Sequence, residues 1–582
     1  MRFELISPQI PGLSTTEQIL INRGIKKEDI SHYLNTSEND IYSFSLLDNL
    51  EEGAKMLISH IAKKDKVLVQ VDSDADGLTS AAALINYLNY LFPHFTQKYI
   101  SYRLHKGKEH GLITSTIPDD VKLVIAPDSS SNDYEVHKEL KDKGIDVLVL
   151  DHHNAERISE NACVINNQLC DYPNKALSGV GVVYKFCCYI DSLLDTEYAK
   201  EILDLVALGM IADMMDLHSL ETKELISEGL SRIQNPYFKG MITQNEFFLK
   251  DGITPIGVAF SVSPAMNAVV RVGTDEEKVV LFESMLDFRA LELVPSTKRG
   301  YKGTFETRVE QACRNCVNIK KRQTVAIDNS LEIIEQIIEE KNLVNNKIMA
   351  VKVRASQAIT KTLTGLIANK LAAKYQRPVL ILNETVHKNE ETDETYVKWE
   401  GSGRGYGIEN LQSFLSDSGF VEYAEGHDNA MGVGILEENF EKFIAYANDT
   451  LKDFDFTPKY NVDIIYKPDN VNGQEIMQIA SLRNLWGQGM PEPYIAIEGL
   501  KVFKENIALL GRGTLKIALP DSEVSIIKFR SSNEEYESLY SELGCVTINL
   551  VGQCKINDFG GVEKPQIEIT DYEIIGRTAY YF

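Results

Sequence analysis

Val67-Leu68-Val69-Gln70-Val71-Asp72-Ser73-Asp74-Ala75-Asp76-Gly77 carries a buried-strand pattern straight into three carboxylates at alternate positions. Packing alone does not account for anionic side chains crowded where a strand leaves a hydrophobic core. Their mutual repulsion is tolerable only if a cation of high charge density sits among them. Two further stretches repeat the arrangement. Lys122-Leu123-Val124-Ile125-Ala126 reads as a strand ending in Pro127-Asp128-Ser129-Ser130-Ser131, and Ile145-Asp146-Val147-Leu148-Val149-Leu150 as one ending in Asp151-His152-His153. In an open parallel α/β sheet the carboxyl ends of the strands face one side, so these loops meet although they are distant in the chain. Gly209-Met210-Ile211-Ala212-Asp213 lies late in the helical apolar pattern of Ile202 to Leu217 and brings a fourth acid from a helix end beside the sheet.

Carboxylate oxygens with one or two imidazoles suit Mn²⁺ or Mg²⁺, with manganese preferred, whereas zinc calls for thiolates or more histidines. Asp72, Asp74, Asp76, Asp128, Asp151, His152, His153 and Asp213 exceed the needs of one ion. The expectation is a pair of ions ~3.5–4 Å apart bridged by a carboxylate, with Asp128 as the bridge. Such a pair generates hydroxide near neutral pH and holds a phosphodiester in line with it, so no protein nucleophile is required. The loop Ser129 to Asn132 is placed to aim backbone N–H groups at a phosphate oxygen, although three serines after a strand are also an ordinary turn. A lone Asp-x-Asp is usually a solvated turn and a lone His-His a surface pair. Their recurrence at three strand ends is what points to metal.

With 582 residues and 43% hydrophobic content, the chain is long enough for three or four globular domains. The first residues, Met1-Arg2-Phe3-Glu4-Leu5-Ile6, show no basic segment followed by an apolar one, and no uninterrupted apolar run of membrane-spanning length is evident. A soluble, cytoplasmic protein with no membrane partner is expected. Eight scattered cysteines fit reduced thiols; Cys313 and Cys316 have a C-x-x-C spacing, but no second pair lies near to complete a zinc site. The formal net charge of −25 argues against a generic basic nucleic-acid coat, though not against a local channel.

Residues 1–45 read as an N-terminal cap of short helical and polar pieces. Strands and helices alternate from 46 to 240, with a helix over Leu78 to Leu91 after the first acidic loop; this is the signature of a doubly wound parallel sheet. Residues 241–345 read as connecting helices, over Thr304 to Gln323 and Leu331 to Asn342. A smaller α/β unit occupies 346–455, with strands at Lys347 to Val353 and Pro378 to Leu382, a helix over Thr362 to Tyr375, and an exposed loop from Asn383 to Thr395. From 456 to 582, short β segments at barrel-like intervals follow: Ala496 to Phe503, Gly513 to Ala518, Glu523 to Phe529, Val546 to Cys554 and Gln566 to Ile569.

These motifs resemble the DHH phosphoesterase superfamily, and within it the RecJ single-strand exonucleases. The four acidic motifs are intact. Leu177-Ser178-Gly179-Val180-Gly181-Val182 resembles the family's glycine-rich helix start, and Arg103 with Glu109-His110-Gly111-Leu112 its Arg and Glu-Tyr-Gly-Leu segment, departing at His110. Pro264-Ala265-Met266-Asn267-Ala268 with Arg271, and Asn318 with Arg322, resemble its linker signatures. Gly401-Ser402-Gly403-Arg404 and Gly426-His427 look like the DHH-associated domain, departing at Gly405 and Glu425. Leu485-Trp486-Gly487-Gln488-Gly489-Met490-Pro491 is similar to the start of the RecJ OB-fold.

The resemblance implies an α/β fold: a DHH domain with a doubly wound parallel sheet, helices leading to a smaller α/β DHH-associated domain, and a C-terminal OB-fold β-barrel. It implies metal ligation by Asp72, Asp74, Asp76, Asp128, His152 and Asp213, with Asp151 and His153 also in the catalytic set. Arg103, Ser129, His153, Arg271, Ser402, Arg404 and His427 are implied to contact substrate, the arginines and Ser402 at a terminal 5′ phosphate and His427 near the scissile bond. The implied activity is two-metal hydrolysis of single-stranded DNA from its 5′ end in recombination and repair. A single-strand-binding protein and a helicase are the implied partners, and the chain is expected to act as a monomer. Trp486 is placed either to stack on a base or, by default, in the core; Lys516, Lys528 and Arg530 read as ordinary surface charges. The alternative is an oligoribonuclease or cyclic-dinucleotide phosphodiesterase of the same superfamily, although a dinucleotide gives the C-terminal barrel nothing to bind. A catalytically dead scaffold is disfavoured because every acidic position is filled, and a pyrophosphatase by the extra domain.

Overall fold

The computed structural model describes residues 1–106, 109–249, 252–357, 359–388, 395–511, 513–519, 522–559 and 561–579. The chain forms two compact units, one of Leu5–Ile319 with Val462–Phe582, the other of Met1–Glu4 with Lys320–Asn461.

The larger unit is built on a five-stranded parallel sheet in the order Ile100–Leu104, Lys66–Val71, Val121–Pro127, Asp146–Asp151, Cys163–Asn166. The chain places its second strand on one side of the first and its third on the other, so the order reverses between Lys66–Val71 and Val121–Pro127. That reversal opens a crevice at the carboxyl ends, where the acidic loops emerge. Val67, Val69, Val71, Leu123, Ile125, Leu148 and Leu150 are buried, as expected of strands covered on both faces. The helix after the first strand starts earlier than its apolar pattern suggests, spanning Ala75–Leu91, because Asp74 caps it by accepting the Gly77 N–H at 2.8 Å. Asp76 therefore lies in the first helical turn rather than in a loop.

The N-terminal segment also holds a strand, Arg2–Leu5, besides the helices Thr15–Asn22 and Ile30–Leu34. Arg23 reaches the buried Asp463 through two bonds of 2.8 and 2.9 Å, and its guanidinium carbon stands 6.0 Å from the centroid of the Trp486 ring. Trp486, 2% exposed, is a core residue and offers no stacking face.

The segments read as separate connecting helices form one helix, Arg308–Glu340, and Phe305–Thr307 before it is a strand of a hairpin with Leu293–Pro295. Cys313 and Cys316 are buried, Cys316 Sγ lies 3.4 Å from Tyr237 Oη, and all eight cysteines are free. One apolar stretch was not anticipated from sequence: Pro255–Val272 has a mean hydropathy of 1.2. It divides at Val262 between the helices Pro255–Ser261 and Ser263–Val272, which bury Val258, Met266 and Val269.

In the smaller unit the sheet order is Tyr423–His427, Ala430–Leu436, Thr395–Arg404, Val379–Lys388, Met349–Val353, antiparallel except for the last pair. The stretch read as a loop after Leu382 is mostly ladder, extending to the pair Lys388 and Thr395, and residues 389–394 lie outside the described residues. The C-terminal β structure is a seven-stranded sheet dominated by the long ladder of Gly544–Phe559 with Val562–Ala579. These strands outrun the short segments read from composition because polar and apolar residues continue to alternate across their bulges. On this sheet Lys528 pairs with Glu535 at 2.8 Å.

Candidate metal centre

Parallel register decides which loop residues become neighbours. Val71 pairs with Leu104 and Pro127 with Leu150, so the next residues, Asp72 with His105 and Asp128 with Asp151, leave the sheet side by side. Asp128 turns into the left-handed region (φ 63°) while its N–H donates to the Leu150 carbonyl at 2.8 Å, and Ser130 is also left-handed at φ 81°. Such conformations cost roughly 1–3 kcal/mol each in a non-glycine residue and gather where function demands them.

The helix Gly179–Leu194 aims its N-terminus at Asp76. Gly179 N–H donates to Asp76 Oδ2 at 2.7 Å, Val180 N–H to Oδ1 at 3.4 Å and the buried Ser178 hydroxyl to Oδ1 at 3.1 Å. The helix dipole favours the anion placed there. Two glycines leave the room: a Cβ on Gly179 would stand 2.4 Å from Asp128 Oδ1, and one on Gly209 2.5 Å from Asp76 Oδ1. Asp213 caps the end of the helix Leu203–Ala212, with its N–H on the Gly209 carbonyl at 2.9 Å.

His152 gathers the acids. Its Nε2 lies 3.2 Å from Asp128 Oδ1, 3.5 Å from Asp213 Oδ2 and 4.0 Å from Asp76 Oδ2. Three sets offer donor atoms within 4.8 Å of one another: Asp128, His152 and His153; Asp76, His152 and Asp213; Asp72, Asp74 and Asp128. His152 and Asp128 each belong to two of these sets. Both carboxylate oxygens of Asp128 are buried with no hydrogen-bond donor, and so is Asp72 Oδ1. An isolated carboxylate in that condition is costly. Buried acceptor oxygens without donors, beside an imidazole, fit a hard divalent cation.

The electrostatics agree. Burial, then the charges of Asp76, Asp74, Asp151 and Asp213, push the Asp128 carboxyl well up. Burial, then Asp76 and Asp74, push Asp213 up to about 8, and burial takes Asp74 to about 6. Asp151 behaves differently. Burial opposes its ionisation, but the His153 ring, at 2.8 Å, with the His153 and Ser131 N–H groups, holds it well below the carboxylate range. Asp151 thus orients the loop, and its hydrogen bond raises His153 to about 9. Burial lowers His152, which keeps a lone pair available.

The remaining sequence-derived residues divide between the units. Arg103 donates to Glu109 at 2.6 Å, and Ser129 is buried in the strand-end loop. The Ser131 N–H, expected to face a phosphate, is committed to Asp151. Arg271 is on the last turn of its helix, where desolvation lowers its pKa and the charge of Asp74 opposes the shift. In the smaller unit Ser402 and Arg404 lie two residues apart on one strand. Ser402 Oγ is 2.9 Å from Thr364 Oγ1, and Arg404 and His427 flank Ala430 from either side.

The sequence reading missed His105. It is buried, with Nε2–H donating to the Gly111 carbonyl at 2.7 Å and Nδ1 standing 2.9 Å from Asp72 Oδ1 without forming a hydrogen bond. Its position directly after the strand Ile100–Leu104 is readable in the sequence, but its place beside Asp72 comes from the parallel register.

Comparison with known proteins agrees with this architecture. Residues 66–210 match the DHH family, N-terminal domain, and residues 462–571 the RecJ OB domain. The prophage-derived protein YorK of Bacillus subtilis strain 168, described as a putative single-strand DNA-specific exonuclease, is 36% identical over 99% of this chain and 98% of its own. The single-stranded-DNA-specific exonuclease RecJ of the same organism is 26% identical over 98% of this chain and 70% of its own. The crystal structure of Thermus thermophilus RecJ in complex with Mn²⁺ superposes with a TM-score of 0.70 at 18% identity, covering 98% of this chain and 79% of that one. With its four acidic motifs gathered at the sheet's switch point and a relative of this identity along its whole length, the chain belongs to the DHH family, in its RecJ branch.

Proposed function

We propose that this protein is a metal-dependent exonuclease that hydrolyses single-stranded DNA from its 5′ end in recombination and repair. The observation that carries the reading is Asp128, 1% exposed, with both oxygens lacking a donor and shared between two groups of potential ligands. Asp72, Asp74, Asp76, Asp128, His152 and Asp213 would hold two Mn²⁺ or Mg²⁺ ions, with Asp128 between them. Bound there, the ions supply a hydroxide near neutral pH and neutralise charge on the leaving oxygen.

The chain's own groups do the rest. Asp151 fixes the His152-His153 loop through its backbone N–H groups, and the helix at Gly179 holds Asp76 in one orientation. His153, exposed on the rim and hydrogen-bonded to Asp151 at 2.8 Å, is placed with Arg271 and Arg103 to meet phosphate oxygens. Ser129 lines the same loop. Ser402, Arg404 and His427 form a second phosphate-binding patch on the smaller unit. We place the enzyme in the cytoplasm as a monomer, supplied with strands by a helicase and a single-strand-binding protein.

Digestion of matched end-labelled DNA and RNA strands with Mn²⁺ or Mg²⁺ tests this directly. Release of mononucleotides from the 5′ end of DNA is the expected result. Faster turnover of a dinucleotide than of a long 5′-phosphorylated strand would overturn it in favour of a small-nucleotide phosphodiesterase.

A further inference from the structure

The chain carries 85 acidic residues against 60 basic ones, yet several stretches hold no acid. Residues 296–305, Ser-Thr-Lys-Arg-Gly-Tyr-Lys-Gly-Thr-Phe, are one. They form the tip of the hairpin between Leu293–Pro295 and Phe305–Thr307. The acids at its base are already committed. Glu292 pairs with Arg308 and, at 3.5 Å, with Arg289; Glu306 pairs with Arg314 and accepts from Gln311 Nε2 at 3.0 Å. Lys298, Arg299 and Lys302 at the tip have no ion-pair partner among the described residues.

Aromatic rings stand among these cations. Tyr301 is 50% and Phe305 65% exposed, and Lys298 Nζ lies 4.4 Å from the Tyr301 ring centroid. The tip is built rather than loose. Ser296 N–H donates to the Thr304 carbonyl at 2.9 Å, Tyr301 N–H to Lys298 at 3.1 Å and Thr304 N–H to Tyr301 at 3.1 Å, while Gly300 and Gly303 supply left-handed turns. Gln311 Nε2 pins the base through the Pro295 carbonyl at 3.0 Å. Folding gives no return for exposing two large rings on a cationic loop. Free cations for phosphates beside open π faces for bases are the elements that bind a single strand without regard to sequence.

We propose that this tip is a binding site for single-stranded nucleic acid, gripping phosphates with Lys298, Arg299 and Lys302 and stacking bases on Tyr301 and Phe305, apart from the metal centre. The proposal rests on the single-strand nuclease reading. The hairpin's supporting segment is tied to the helix Ala75–Leu91 at Asn86, whose side chain donates to the Met285 carbonyl at 2.8 Å, and at Tyr90. Asp74 and Asp76 lie at that helix's other end. Asn86 stands ten residues along that helix from Asp76, a rise of ~15 Å.

The test uses the full chain and a variant with Lys298→Ala, Arg299→Ala and Lys302→Ala, all on exposed side chains. Binding of a labelled thirty-nucleotide dT strand is followed by anisotropy in EDTA across a salt series, and hydrolysis of a trinucleotide is measured with Mn²⁺. The slope of log affinity against log salt should fall by about 2, from three phosphate contacts at ~0.7 each, with at least a tenfold loss of affinity at low salt. Trinucleotide hydrolysis should stay at the wild-type rate, and Tyr301→Ala should weaken the long strand without changing the slope. An unchanged slope and affinity would overturn the site and leave the tip to an acidic protein surface. If the wild type hydrolyses neither the trinucleotide nor, with Mn²⁺ in place of EDTA, the long strand, the nuclease reading fails, while the binding comparison still decides the hairpin.

Discussion

Replacing Gly179 with alanine tests how tightly the acidic cluster is built. The new Cβ would sit 2.4 Å from Asp128 Oδ1, 2.5 Å from its Cβ and 2.7 Å from its Cγ, where ordinary contact begins at 3.4 Å. Helix and carboxylate must therefore part by about 1 Å, and neither yields easily. Asp128 is held at a left-handed φ of 63° with its N–H on Leu150, and Gly179 is held through its own N–H on Asp76. Overpacking of this kind costs about 1–3 kcal/mol, so the protein should still fold. Displacing a catalytic group by about 1 Å costs on the order of 10²-fold in rate. Mn²⁺-dependent nucleotide release from a 5′-labelled strand should fall accordingly, and thermal melting should report the smaller stability loss. Gly181→Ala is the control, because the three atoms nearest its Cβ all belong to the Leu177 side chain and none to the acids. It should destabilise comparably and keep most of the activity. Activity of Gly179→Ala within threefold of wild type, or equal inactivation of Gly181→Ala, would refute the packing argument.

Asp128→Ala should abolish hydrolysis yet leave the metal-free protein at least as stable, since it removes a buried carboxyl without donors; retained activity would refute the bridging role. His105→Ala should weaken Mn²⁺ affinity by about tenfold, the usual scale for a residue backing a metal ligand, as read by calorimetric titration. Arg404→Ala should raise KM with little change in kcat, and a large fall in kcat at constant KM would contradict it. Without metal, stability should decline as pH rises from about 4 to 9. Asp74 and Asp213, pushed up to about 6 and about 8, keep protons in the folded state that the unfolded chain has released, and His153, at about 9, then loses the proton that pairs it with Asp151. Melting curves with and without Mn²⁺ check this, because saturating metal should flatten the decline.

Much of the centre was legible because its chemistry is written in one dimension. Asp72, Asp74, Asp128, Asp151 and His152 each follow a buried apolar run, and a parallel sheet sends every such run to the same rim. The start of the helix at Ala75 was less legible, since Asp74 sets it through a cap and no hydrophobic period marks it. Trp486 was resolved only by packing, against Arg23 from more than four hundred residues away.

Residue order alone determined that acids and imidazoles would collect at strand ends, that the chemistry would be that of hard divalent ions, and that an α/β core would carry it. Tertiary structure decided which groups stand beside which. Register set His105 next to Asp72, a helix N-terminus was aimed at Asp76, and Asp151 was spent on orienting its own loop. The reason is physical: a strand's apolar pattern shows where it ends, whereas its neighbours depend on sheet order and backbone hydrogen bonding, which no local run of residues encodes.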